Sequence, residues 1–208
     1  MLQLIALSNA MEVTSYNNVV QALITDIVDI CNGKEAIRTE KPEDGSRVPF
    51  WNIGGVDGYT QNSICDKPCI AIGVAGTVGK PKLLFPPYWV GSTQIYLVPK
   101  NDNIDIYWLF SHINYINWKY FTNPYAIPPK LSMEEFKELY LEVPDYELID
   151  KIGKLYKNIL RERELSREAI ENIEKLKQMI FHIMFGDPTA ALAKDDAFSN
   201  PENYYKLS

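Results

Sequence analysis

The sequence predicts a mixed α/β, β-rich globular domain followed by one long coiled-coil-forming α-helix. Apolar residues recur at alternating steps of four and three from residue 145 to residue 184, which is the period of a helix that supercoils against another helix. Short runs of β-branched and aromatic residues, bounded by glycine and proline, precede that segment and are typical of strands. The 208 residues are 46% hydrophobic and 12% aromatic, a composition that indicates a folded core.

Six segments before the long helix are expected to be extended, because each is short, apolar and bounded by turn residues. A charged stretch at 34–47 contains Pro42 and Gly45, so we expect an exposed loop there. The expected extended segments are 23–30, 48–53, 69–74, 82–85, 88–99 and 141–144.

Two shorter helices are also expected. Residues 106–121 have apolar side chains at helical spacing, with Asp105 near the start as a helix-initiating residue. Ser132 stands where it would cap a helix over 133–139, and Glu135 three residues later completes the pattern of a capping box.

The long helix carries an apolar seam in continuous heptad phase from Leu148, with nine of eleven positions apolar. At about 1.5 Å per residue the helix is on the order of 60 Å long, so part of the seam is expected to meet a partner helix. The alternative is an amphipathic helix that lies on its own core, and Gly153 favours it mildly because glycine costs about 1 kcal/mol inside a helix. The expected partner-helix residues are Leu148, Ile152, Leu155, Ile159, Ile173, Leu176, Ile180 and Ile183.

The net charge of −6 is unevenly distributed. Residues 31–130 carry ten basic and eight acidic side chains, whereas the segments before and after them are acidic. Any polyanion would therefore have to bind a local patch of this middle segment.

Several classes of site are not indicated. The sequence has an odd number of cysteines, Cys31, Cys65 and Cys69, and no histidine or second cysteine pair completes a zinc set. We therefore expect no bound metal, and we expect the thiols to be reduced in the cytoplasm. No apolar run approaches the 18–20 residues of a membrane span. We therefore expect no contact with a membrane.

Two motifs are similar to known catalytic or nucleotide-binding signatures but are incomplete. The segment 73–80 lacks the first glycine of a phosphate-binding loop, where Val74 stands, and Pro81 replaces the required serine or threonine. The segment 123–125 is similar to the Asn-Pro-Pro-Tyr signature of amino-methyltransferases but lacks its second proline. No spacing suggests a Ser/His/Asp or Cys/His set, so we expect no catalytic residue and no cofactor.

Some polar side chains in the loops and strands have the chemistry of a DNA reader, because cations bind phosphates while amides and arginines read base edges. Scattered surface lysines more often serve solubility, so residue type alone does not decide between these roles. The candidate DNA-binding residues are Lys34, Arg38, Lys41, Arg47, Asn52, Lys80, Lys82, Ser92, Thr93, Gln94, Lys119 and Lys130.

Six short segments follow one another in a distinctive order, at 27–34, 48–54, 72–80, 130–137, 141–144 and 185–188. This series resembles the target-recognition domain of type I restriction–modification specificity subunits, together with the family's short helix, the strand before its long helix and the junction after it. The resemblance implies a non-catalytic domain that recognises half of a split target in double-stranded DNA. It also implies a helix that spaces two such domains and docks a DNA adenine methyltransferase subunit and, where one exists, a restriction subunit.

In these terms the chain divides into an N-terminal extension (1–22), a target-recognition domain (23–144), a spacer and dimerisation helix (145–185) and a C-terminal tail (186–208). The family usually has two recognition domains and two antiparallel long helices in one chain, and this sequence has one of each. It is therefore either a half-subunit that forms a homodimer about a two-fold axis or a fragment. An alternative function, which the acidic net charge favours, is an oligomeric protein–protein interaction adaptor that does not bind DNA.

Overall fold

The computed structural model describes residues 19–43, 45, 47–123 and 125–185. These residues form two compact units, which divide in the chain between Lys157 and Asn158. A sheet-rich domain followed by a long helix is observed, which confirms the predicted fold class. Most of the expected N-terminal extension, the C-terminal tail and the junction at 186–188 lie outside the described residues.

Eleven short strands and four α-helices make up the described chain. The strands are β1 Val20–Leu23, β2 Val28–Asn32, β3 Val48–Asn52, β4 Gly55–Thr60, β5 Cys69–Gly73, β6 Gly79–Leu84, β7 Trp89–Val90, β8 Gln94–Pro99, β9 Thr122–Asn123, β10 Lys130–Leu131 and β11 Tyr140–Val143. The helices are α1 Ile24–Ile27, α2 Ile106–Asn114, α3 Met133–Lys137 and α4 Tyr146–Phe185, with a 3-10 helix at Trp118–Phe121.

The centre of the domain is an antiparallel sheet with the strand order β2-β8-β5-β6. Strand β5 is buried along its whole length, as its continuous apolar run predicts. A three-stranded sheet, β4-β3-β7, has β3 parallel to β7, and two-stranded pairs join β1 to β11 and β9 to β10. One cluster of buried core residues contains Tyr88 and Tyr96 together with Cys69.

The run at 23–30 was expected to be one strand, and the structure divides it. One helical turn, α1, separates β1 from β2 and buries both Ile24 and Ile27. Residues three apart point to opposite faces of a strand but to the same face of a helix. The helical turn therefore lets both isoleucines reach the core.

The segment 88–99 also differs from expectation, since it forms two strands in two different sheets. Gly91 lies between them, and a Cβ there would stand 2.3 Å from Oδ1 of Asn52 and 3.0 Å from the Phe50 ring. This close approach ends β7, and β8 begins at Gln94. The glycine-rich segment after β3, for which no strand was expected, forms β4.

The short helices confirm one expected cap and contradict the other. The Asp105 carboxylate accepts hydrogen bonds from the amides of Tyr107 and Trp108 and caps α2. This helix ends at Asn114, short of the expected residue 121, and a separate 3-10 helix follows. Ser132 occupies the N-cap position of α3, but its side chain makes no capping hydrogen bond. The predicted capping box is therefore wrong.

The predicted long helix is confirmed as α4, which has 40 residues. Its first turns pack on the domain through Ile149, which is buried, and through Tyr156, whose hydroxyl accepts a hydrogen bond from Nδ2 of Asn114 at 3.2 Å. Here the alternative of an amphipathic helix on its own core is correct. The buried face of α4 includes Ile149, which is one residue after the expected seam position Leu148. No described helix combines the length and apolar character needed to cross a bilayer.

Candidate nucleic-acid interface

The loop that follows β2 lies along the backbone next to β7. A Cβ on Gly33 would stand 2.1 Å from the carbonyl oxygen of Gly91, so only glycine allows this approach. Lys34 follows directly in this loop, and the Ser92 hydroxyl donates a hydrogen bond to the Glu35 carboxylate. Lys34 and Ser92, which are distant in the sequence, are therefore neighbours in the structure.

Arg38 and Asn52 share one acidic partner. The Arg38 guanidinium lies 3.3 Å from the Asp57 carboxylate and 3.7 Å from that of Glu35, and it covers the Phe50 ring at 4.5 Å from the centroid. Nδ2 of Asn52 donates to the same Asp57 carboxylate at 2.8 Å. This network fixes both side chains and offsets the positive charge of the arginine locally, so its geometry favours hydrogen bonding over net attraction of phosphate.

Lys82 connects β6 with β3. Its ammonium group donates to the carbonyl oxygen of Asn52 at 3.2 Å and lies 5.5 Å from the centroid of the Trp51 ring. The pKa of the Lys82 ammonium group is lowered, mainly by partial burial and to a smaller extent by the charge of Lys80. The side chain therefore links the Asn52 network to the cations described next.

The turn between β5 and β6 is joined to two later segments. A Cβ on Gly79 would stand 2.4 Å from Cγ of Trp118, so the 3-10 helix lies directly against this turn. The Gly76 amide donates to the carbonyl oxygen of Pro129 at 2.9 Å, and an isolated antiparallel bridge joins Ala75 to β10. These approaches join the segments that carry four of the expected cations, and we call these four residues the lysine cluster: Lys80, Lys82, Lys119 and Lys130.

The lysine cluster differs electrostatically from the Arg38 network. Lys80, Lys119 and Lys130 are exposed and Lys82 is half-buried. Within the described part of the chain, none of the four ammonium groups forms an ion pair. Because like charges without acidic partners create a positive local potential, this region can bind an anion in spite of the acidic net charge of the chain.

The remaining expected residues are placed less favourably. Lys41 and Arg47 are exposed in the loop before β3, and Thr93 is exposed before β8. Gln94 is only 1% exposed because it begins the central strand β8 and not a loop. Gln94 is therefore not available to a ligand at this surface.

Exposed aromatic and aliphatic side chains near the lysine cluster were missed by sequence reasoning. Tyr120 lies beside Lys119 on the 3-10 helix, and Tyr125 and Ile127 lie between β9 and β10; all three are highly exposed. The prolines on both sides of Tyr125 and Ile127 indicate a turn, but the sequence does not show how far the apolar side chains are exposed. Only the tertiary structure shows that they face solvent.

The three cysteines gather in the interior. Cys31 and Cys65 pack against the cluster that contains Cys69 and Tyr96. Burial raises the pKa of the Cys69 thiol from 9.0 to about 12, so this thiol stays protonated and is a weak nucleophile. Among the described residues, no group of three or more His, Cys, Asp or Glu side chains could hold a metal ion.

The expected helix seam is exposed over most of α4. Leu148 and Ile152 are half-buried in the first turns. Beyond them, six expected seam residues are between 42% and 75% exposed: Leu155, Ile159, Ile173, Leu176, Ile180 and Ile183. Exposed apolar side chains in a row along one helix are typical of a surface that contacts a partner.

Comparison with protein families gives one match over most of the chain. Residues 18–175 match the family model described as the type I restriction modification DNA specificity domain. No curated protein matches the chain.

Solved structures of type I restriction–modification proteins are similar in fold. The S subunit of a type I restriction-modification system from M. genitalium has a TM-score of 0.69 and 17% identity over 89% of this chain and 50% of that one. The HsdS subunit from Thermoanaerobacter tengcongensis has a TM-score of 0.52 and 15% identity, over 89% of this chain and 50% of that one. A structure reported for the assembly and conformational transition of a type I R-M system has a TM-score of 0.57 and 15% identity, over 86% of this chain and 48% of that one. The chain therefore spans about half the length of each of these proteins.

Proposed function

The chain belongs to the type I restriction modification DNA specificity family, and from this premise we propose that it is a sequence-specific, non-catalytic DNA-binding specificity subunit. Its globular domain, over about residues 23–144, recognises half of a split target in double-stranded DNA. The observation that carries the proposal is the lysine cluster, because four cations without acidic partners among the described residues supply the positive surface that a DNA backbone requires.

The two polar groups of the interface have different tasks in this proposal. The lysine cluster contacts phosphates and sets the position of the domain on the duplex. Arg38, Asn52 and Ser92 read base edges, because their side chains are oriented by Asp57 and Glu35. Lys82 lies between the two groups through its hydrogen bond to Asn52. A phosphate contact would therefore be coupled to the position of a base-reading residue.

The helix over residues 145–185 is proposed as the spacer and dimerisation element. Its exposed seam keeps the heptad phase of a helix that pairs with another helix, and a second copy of this chain is the occupant we propose for it. The chain covers 50% of the S subunit from M. genitalium, so two copies would supply a comparable length of chain. A two-fold pair of helices would place two recognition domains on one duplex, one for each half of the target.

Methyl transfer and cleavage are assigned to partner chains in this proposal. The complex would contain a DNA adenine methyltransferase subunit and, where the system has one, a restriction subunit, and it would act in the cytoplasm. The alternative function is an oligomeric interaction adaptor that binds no DNA, which the net charge of −6 favours.

The salt dependence of DNA binding separates these two functions. We expect the full chain to bind duplexes selected from a randomised pool, with log K falling by about 0.9 per phosphate contact for each unit of log salt. Replacing Lys80, Lys119 or Lys130 by alanine should each reduce this slope by about 1. Lys177→Ala is the control, because that exposed lysine is already paired with Glu174 on α4. If no duplex is bound even at low salt, the adaptor is the better explanation.

A further inference from the structure

The segment between β9 and β10 forms a hairpin whose tip is apolar and exposed. The strands pair with Asn123 opposite Lys130. At the tip, Tyr125 is 92% exposed and Ile127 is 98% exposed, and Pro128 and Pro129, which follow directly, are exposed as well. Single apolar side chains on a surface are normal, but this is a run of them on one turn. An isoleucine that is almost wholly in solvent contributes nothing to the core.

The base of this hairpin is held firmly by the domain. The Gly76 amide donates to the carbonyl oxygen of Pro129 at 2.9 Å, and the Leu131 amide donates to that of Val74 at 2.9 Å. Leu131 itself is buried, and the Ser132 amide donates to the carbonyl oxygen of Phe121 at 2.7 Å. The tip therefore stands on a fixed support, so that a contact made by the tip is transmitted to the domain.

The segments that form this support carry cations. Lys130 belongs to the hairpin itself, and the 3-10 helix that carries Lys119 ends directly before β9. Lys80 joins them because Trp118, the neighbour of Lys119, lies against Gly79. The segments that hold the apolar tip therefore carry three exposed members of the lysine cluster, a combination that fits a polyanion with an apolar interior.

We propose that the tip around Ile127 is a wedge that inserts between adjacent base pairs of duplex DNA, while the lysine cluster holds the phosphates on either side. Isoleucine and proline are among the residues that unstack base steps in this way. Pro128 and Pro129 have no amide N–H that stacked bases would leave without a partner, and Tyr125 can cover the face of an unstacked base. This inference rests on the proposed DNA-binding function and adds to it a kink of about 20–90° in the bound duplex.

The test measures DNA shape with the full chain and duplexes selected from a randomised pool. Energy transfer between dyes at the two ends reports the bend, and permanganate reactivity of thymines reports unstacked bases. The wild-type chain should bend the duplex and expose a reactive thymine at one step. Ile127→Ala should lose both signals, and Ile127→Leu should retain them, because leucine is also an effective wedge.

Two matched controls isolate the wedge from a general loss of surface. Tyr125→Ala is compared with Tyr140→Ala on β11, and Ile127→Ala with Val20→Ala on β1, since both control residues are exposed on a sheet separate from this hairpin. The controls should bend DNA like the wild type. Each substituted side chain is exposed, so the unfolding midpoints should be unchanged.

The outcomes separate the two levels of the proposal. A wild-type chain that binds DNA but leaves it straight overturns the wedge and leaves the proposed function standing. The same conclusion follows if Ile127→Ala bends and unstacks the duplex as the wild type does, which would leave the tip as a contact for a protein partner. A wild-type chain that binds no duplex overturns both.

Discussion

Replacing Gly153 by alanine tests how α4 begins, because two effects of opposite sign act at this position. Gly153 is buried in the third turn of the helix. A Cβ there would stand 2.1 Å from Oδ1 and 2.5 Å from Cγ of Asp105. That oxygen accepts hydrogen bonds from the amides of Tyr107 at 2.8 Å and Trp108 at 2.9 Å. The alanine methyl group can be accommodated only if the cap of α2 moves.

The sizes of the opposing effects decide whether Gly153→Ala stabilises or destabilises the fold. Alanine in place of glycine in a helix interior stabilises by about 1 kcal/mol. Loss of an aspartate cap costs about 0.5–2 kcal/mol, and an extra methyl group in a packed contact costs about 1–3 kcal/mol. The two losses together exceed the gain. We therefore expect Gly153→Ala to lower the free energy of unfolding by about 1–3 kcal/mol.

Urea denaturation followed by circular dichroism measures this change, and a double-mutant cycle with Asp105→Ala identifies its cause. Without the aspartate carboxylate only the Cβ of residue 105 remains close, at 3.2 Å, so Gly153→Ala in that background should be neutral or stabilising by up to about 1 kcal/mol. If Gly153→Ala instead stabilises the wild-type chain by about 1 kcal/mol, the packing of α4 on the Asp105 cap is refuted.

Two further predictions concern the core and the β5–β6 turn. Burial raises the pKa of the Cys69 thiol from 9.0 to about 12. Between these two pH values the folded state keeps a proton that the unfolded state loses, so the free energy of unfolding should fall as the pH rises. In urea denaturation at increasing pH, the free energy of unfolding should fall less steeply in Cys69→Ala than in the wild type, by about 1.4 kcal/mol per pH unit. Equal slopes in the two proteins would contradict the raised pKa of the Cys69 thiol. Gly76 and Gly79 both have positive φ angles, of 75° and 83°, but only at Gly79 would a Cβ meet Trp118. Gly76→Ala should cost about 1–2 kcal/mol and Gly79→Ala about 1–3 kcal/mol more, and equal costs would show that Trp118 does not pack on this turn.

Elements that are determined by their own residues could be predicted from the sequence. The apolar run of β5, the cap at Asp105 and the long period of α4 are local patterns, and each is present in the structure. The pattern of α4 did not give the register of its buried face. The buried face contacts Asp105, which caps α2, and Asn114, which ends it.

The parts that could not be predicted depend on approaches between distant segments. Gly91, which lies between β7 and β8, approaches Asn52 closely, and no feature of the 88–99 run contains that information. Gln94 was chosen as a DNA-binding candidate by residue type, but it is buried at the start of β8. The lysine cluster exists because the β5–β6 turn meets the 3-10 helix and β10, so its members could be chosen by residue type but not grouped by position.

Pairing of two copies through α4 on one duplex is tested most directly by sedimentation equilibrium of the full chain, alone and with a selected duplex. We expect a mass of twice the 23.8 kDa of one chain and a complex of two chains with one duplex. Replacing Ile173 and Leu176 together by glutamate should give single chains without unfolding the globular domain, because both side chains are exposed on α4. A wild-type chain that sediments as one copy, and that binds one copy to each duplex with the affinity of the glutamate variant, would contradict the proposed pairing.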